Sequence, residues 1–154
     1  EPADMFAESF LCAGITTSPV TVEAGADSEV LLLPFQRIIK TCSSCCGYHN
    51  ALIENMLGIL ARKNLTLSEK MDHIAKRTTK QKLASYLLGQ ATIKGSASFS
   101  IGLNRQGLAD YLCVNRSALS RELSGIAEKG ILEFHKDSFT ILDLERLEQI
   151  LHEE

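Results

Sequence analysis

The sequence predicts an α+β fold: strand-forming residues first, then one long coiled-coil-like helix, then a small helical unit closed by a β-hairpin. Three patterns predict it. Apolar residues recur at alternating spacings of four and three from Ile53 to Ile74. Two short amphipathic segments between Leu103 and Leu123 each begin at an asparagine suited to capping a helix. After Gly130, Ile131 to Leu142 alternates as two short strands around Lys136, Asp137 and Ser138.

Val20 to Ala24, the turn residues Gly25 to Ser28, and Glu29 to Leu33 read as strand, turn and strand. Two strands do not make an independent β domain, so this part is expected to belong to a larger one. Pro34 suits the first turn of a short helix from Phe35 to about Thr41. A helix from about Tyr48 to Arg77 carries an unbroken heptad seam, with Leu57, Asn64 and Met71 at one core position and Ile53, Leu60, Leu67 and Ile74 at the other. A helix packed within one chain shows a broader apolar stripe, so the narrow seam predicts a parallel homodimer. Its one polar member, Asn64, would bond its own copy and set the register. The alternative is that Asn64 is a tolerated break at the edge of an intramolecular contact.

Thr79 to about Ala91 forms a further helix with Leu83, Ala84, Leu87 and Leu88 on one side. A strand from Ser98 to Ile101 precedes two helices capped by Asn104 and Asn115, which share a core of Leu108, Ala109, Leu112, Val114, Leu119 and Leu123. Past the hairpin, Asp143 caps a closing helix with Leu144, Leu147, Ile150 and Leu151 inward.

Of the 154 residues 45% are hydrophobic, enough for packed cores, and the net charge is -3. That total weighs mildly against a nucleic-acid partner, but up to Arg121 the helix pair sets Arg105, Arg116 and Arg121 against only Asp110, while acids gather in the tail. Lys76, Arg77, Lys80 and Lys82 read as a solvated surface. No apolar run approaches the ~20 residues of a membrane span, and Glu1 to Asp4 lacks the features of a secretory signal. Five cysteines without scaffold spacing predict reduced thiols in a cytoplasmic protein.

Strand, helix, helix and hairpin in this order read as a winged helix. The second helix exposes Arg116, Ser117, Ser120 and Arg121 on one face, which suits entry into the major groove of double-stranded DNA. The hairpin would lay His135 and Lys136 beside the phosphates. Cys113 stands in the turn between the helices, where a glycine would be unstrained.

The run from Leu108 to Leu123, preceded by a long pairing helix and strand material, resembles the Crp-Fnr family of bacterial transcription regulators. The resemblance implies residues 1–45 as the C-terminal remnant of a cyclic-nucleotide-type β-roll sensor domain, 46–77 as the dimerisation helix, and 78–154 as a winged helix-turn-helix DNA-binding domain. By the same resemblance Arg116 and Arg121 face bases or adjacent phosphates, and Asn115 and Arg105 hold phosphates. Ser117 occupies a place where many members carry a base-reading glutamate. RNA polymerase is the further partner implied. Cyclic-nucleotide binders need a Gly-Glu turn and an arginine, but this chain has Ala7, Glu8 and Ser9 and then Thr16 to Pro19. An unneutralised buried phosphate is strongly disfavoured, so a cyclic nucleotide is not expected and the cofactor or effector is unknown.

Two rival readings accompany this one. Cys42, Cys45, Cys46 and His49 have ligand-like spacing for zinc or an iron–sulfur cluster, or for a thiol redox sensor, but no second Cys/His pair follows. No metal site is therefore assigned. A helical dimer that only binds protein would keep the seam but has no use for exposed Arg116 and Arg121. No phosphate loop, nucleophile elbow or paired catalytic carboxylate is present, so an enzyme is not expected.

Overall fold

The computed structural model describes residues 5–15, 17–34, 38 and 47–153. It divides into two compact units, Glu1–Asn64 and Leu65–Glu154. In the first, a five-residue helix α1 (Glu8–Cys12) follows Ala7, whose φ of 65° is left-handed. Glu8 is 5% exposed and its Oε1 accepts a 2.8 Å bond from Lys63 Nζ, which also donates to the Met5 carbonyl. The helix expected from Phe35 to Thr41 lies outside the described residues apart from the buried Ile38.

The two strands expected at Val20–Ala24 and Glu29–Leu33 are not formed. Residues 17–34 are irregular, with Val20, Val22 and Val30 to Leu33 exposed. The physical reason is the one that made them dependent: a lone hairpin has no second layer to bury its apolar face and is at best marginal in water. The alternation is real, but nothing within these residues covers it.

The long helix α2 runs Gly47–Ile74 and buries none of its residues in the single chain. It stops three residues before the expected Arg77. There Thr78 starts the next helix, α3 (Thr79–Lys94), through a reciprocal capping box: its hydroxyl accepts from Gln81 N at 3.1 Å and its N–H donates to Gln81 Oε1 at 3.2 Å. Gln81 is also tied across to the Glu153 carbonyl, 2.6 Å away. Gly95 ends α3 in the left-handed region.

The second unit continues with β1 (Ser98–Ser100), α4 (Arg105–Tyr111), α5 (Arg116–Glu128), β2 (Leu132–His135), β3 (Ser138–Ile141), α6 (Leu144–Gln149) and a 3₁₀ turn, Ile150–His152. Its sheet is antiparallel in the order β1-β3-β2, pairing Phe99 with Phe139 and Phe134 with Phe139. Those three rings stack at centroid spacings of 6.2–6.3 Å. One core unites the unit: Leu83 and Leu87 of α3, Leu108 of α4, Leu119, Leu123 and Ile126 of α5, and Leu147 of α6 are fully or almost fully buried. Leu144 departs from expectation at 50% exposed, since only α6's other apolar face meets α3.

The final turn of α2 is seated within this second unit. His73 Nδ1 lies 2.8 Å from Ser85 Oγ, its ring meets Tyr86 edge-on at 5.7 Å, and Lys70 Nζ lies 5.0 Å over the Tyr111 ring. Burial holds the His73 pKa below that of a free imidazole and pushes the Tyr86 hydroxyl up to about 12. Among the described residues no helix is long and apolar enough to cross a membrane.

Candidate nucleic-acid interface

Helix α4 begins where the Asn104 side chain accepts from Gly107 N at 2.8 Å. It ends at Leu112, where the chain must turn sharply to bring α5 onto the same core. Cys113 makes that turn at φ 53°. Asn115 then caps α5, its Oδ1 accepting from Ser117 N at 2.8 Å and Ala118 N at 3.4 Å. Both caps stand where the sequence placed them. The Asn115 side chain is thus engaged with its own helix, while its position at the N-terminus of α5 leaves it exposed.

Holding a non-glycine residue in the left-handed region costs about 1–2 kcal/mol, while glycine loses roughly 0.5–1 kcal/mol more backbone entropy on folding. Cys113→Gly is therefore expected to raise stability by about 0.5–1 kcal/mol. Thermal or urea unfolding checks it, and a lower midpoint would show that the thiol makes a stabilising contact.

Leu119, Leu123 and Ile126 turn inward on α5, so the opposite face is open. Arg116, Ser117 and Arg121 are exposed and Ser120 is half-buried. Among the described residues neither Arg116 nor Arg121 forms an ion pair, although acidic side chains are available elsewhere in the unit. Ser124, four residues beyond Ser120 and three beyond Arg121, shares this open face. Extending the i, i+4 rule by one turn would have found it.

The hairpin turn lies beside the start of α4. His135 and Lys136 are exposed, with Lys136 at φ 55°. Asp137 accepts from Ser100 Oγ at 2.7 Å, and this bond holds its carboxyl below the usual range. Arg105 is half-buried: its guanidinium lies 5.0 Å over the Phe134 ring and 5.8 Å from Phe139, with Nη2 3.4 Å from the Lys136 carbonyl. Burial, and secondarily the charge of Arg116, lower its pKa. A groove lined by Gly102, Leu103, Asn104, Arg105, Lys136 and Asp137 separates helix start from wing. The structure therefore brings Arg105, Asn115, Arg116, Ser117, Ser120, Arg121, His135 and Lys136 onto one unit.

The seam residues Ile53, Leu57, Leu60, Asn64, Leu67, Met71 and Ile74 all lie on α2. Leu57, Leu67 and Met71 are 60–64% exposed, Asn64 is exposed, and Ile53, Leu60 and Ile74 are half-buried. Of the cysteine-rich candidates, Cys42, Cys45 and Cys46 lie outside the described residues, and His49 Nε2 meets the Ile38 carbonyl. Among the described residues no group of three His, Cys, Asp or Glu could hold a metal ion, and Cys12 and Cys113 are free and exposed.

Comparison with known proteins points the same way. Residues 81–150 match the Crp-like helix-turn-helix domain. A probable transcriptional activator from Rhizobium leguminosarum bv. viciae is 24% identical over 143 residues, 89% of this chain and 58% of that protein. A mutant of CooA from Carboxydothermus hydrogenoformans superimposes with a TM-score of 0.60 at 22% identity, covering 76% of this chain and 53% of its own. A transcriptional regulator of the CRP family from Thermus thermophilus gives 0.55 at 19% identity, over 67% and 55%. The structural likenesses establish the fold. The chain spans little more than half the length of these relatives.

Proposed function

We propose, from the match of residues 81–150 to the Crp-like helix-turn-helix domain, that the chain is a homodimeric, sequence-specific DNA-binding transcription regulator of the Crp-Fnr kind. Helix α5 is the reading element, entering the major groove with Arg116, Ser117, Ser120 and Arg121 toward base edges and adjacent phosphates. Asn115 at its N-terminus and the wing residues His135 and Lys136 approach the phosphate backbone. The observation that carries this reading is the pair of exposed guanidiniums on α5 with no carboxylate partner in the described residues, on a helix whose other face is wholly committed to the core. An arginine fork free at a helix surface matches the O6 and N7 acceptors of guanine.

The homodimer rests on the α2 seam. Apolar side chains at heptad spacing that stay exposed in one chain are stabilised when a second copy covers them. Two copies would set their α5 helices roughly 34 Å apart, one turn of DNA, so the site should be pseudo-palindromic. The effector or redox signal that controls the dimer is left unassigned. RNA polymerase is a partner by family alone.

Selection of duplexes from a random pool tests the reading. Half-sites related by two-fold symmetry and spaced about 10 base pairs centre to centre are expected, whereas a pool that stays random would defeat it. Asn64→Leu should keep the helices paired but admit other registers or higher oligomers, read by sedimentation equilibrium. A monomer both before and after the substitution would remove the dimer.

A further inference from the structure

We propose that Arg105 is a positioning residue that holds the wing's Lys136–Asp137 turn in place against α4, rather than one of the chain's phosphate contacts. The inference deepens the DNA-binding reading and rests on it.

A guanidinium reserved for phosphate stands in solvent, as the exposed Arg116 and Arg121 do. Arg105 is placed differently. Its guanidinium carbon lies 5.0 Å over the Phe134 ring and 5.8 Å over the Phe139 ring, which belong to the two wing strands, and its Nη2 donates to the carbonyl of Lys136 in the turn itself. Only a flat guanidinium can lie on a ring and donate edgewise at once; an ammonium is a point charge on a flexible stem.

The turn needs such ties. Lys136 adopts a left-handed conformation that is unfavourable for a residue with a Cβ, and a two-residue hairpin whose first loop residue has positive φ is at ease with glycine there. From the β1 side, Ser100 Oγ donates to Asp137 Oδ2 and Ile101 N donates 3.0 Å to the Asp137 carbonyl. Arg105 supplies a further tie, from the start of α4. It is the first residue of α4, directly after the Asn104 cap, so its backbone is fixed by the same helix start that begins the helix-turn-helix. The wing is thereby referenced to the reading helix through α4.

Arg105→Ala, Arg105→Lys, Lys136→Ala and the double variant R105A/K136A, made in the full chain, test this. In the free protein, the Ile101 amide should exchange about tenfold faster in both Arg105 variants, since loss of a hydrogen bond and a cation–π contact loosens the turn by that order. Unchanged exchange would overturn the proposal. On the duplex recovered by selection, Arg105→Ala should cost about tenfold in affinity in the unmodified chain and less than about twofold when Lys136 is already alanine, because coupled residues are not additive. Arg105→Lys should not restore binding. Equal losses in both backgrounds, or rescue by lysine, would make Arg105 an independent phosphate contact and contradict the assignment. If Arg105→Ala does not fold, Arg105→Lys carries the exchange comparison. Failure of the unmodified chain to bind any duplex would defeat the DNA-binding reading, and the exchange result would still decide the role of Arg105.

Discussion

Replacing Arg121 by alanine is expected to cost about 1–3 kcal/mol of specific DNA affinity, the worth of one bidentate contact to a base edge. The residue sits one turn into α5 on the open face, with its charge unpaired among the described residues and Leu123 anchoring the helix behind it. A base contact and a phosphate contact predict different patterns. Loss of a base contact falls on the selected site, relaxes preference at one position and leaves binding to unrelated duplex nearly unchanged. Loss of a phosphate contact weakens every duplex alike and lowers the salt slope by about one unit. Titrations of both duplexes at two salt concentrations separate the two. No loss on either would remove Arg121 from the interface.

The second large effect is on stability. Leu123 is 0% exposed and belongs to the core that α5 shares with α3 and α4. Leu123→Ala should destabilise the second unit by about 2–5 kcal/mol, combining lost burial with the cavity left behind. The melting temperature should fall by roughly 10 °C or more, followed by circular dichroism. Leu144→Ala makes the contrast: half-exposed, it should move stability by less than about 0.5 kcal/mol. Equal effects from the two would contradict the described packing. Because Leu123 and Arg121 occupy opposite faces of one helix, the two substitutions separate a loss of fold from a loss of recognition.

The second unit was largely legible in the sequence because its determinants are local. Asn104 and Asn115 cap the helices they precede, Gly130 turns the chain at positive φ just past α5, and the alternation from Leu132 to Ile141 forms the hairpin. Cys113 adopts the left-handed turn anticipated from its position. Residues 20–33 were misread for the opposite reason. Alternation says which face a strand would bury but not whether a covering layer exists, and within the described residues none does. Leu144 was assigned inward because helical spacing fixes relative faces and not how much of a short helix α3 can cover.

At the candidate site, exposure of Arg116 and Arg121 followed from periodicity, which reports what points away from a core. The position of Arg105 did not. It depends on Phe134 and Lys136, some thirty residues onward, meeting α4 in space, and no spacing rule carries that contact. Ser124 was within reach of the same periodicity and lay one turn past where it was applied.

Whether α5 reads DNA sequence is tested by a direct titration. The full chain is bound to the duplex recovered by selection and to a shuffled duplex of the same composition, at one physiological salt concentration. Preference for the selected duplex by about 10³-fold or more is expected. Equal affinity for both duplexes, or binding to neither, would contradict it.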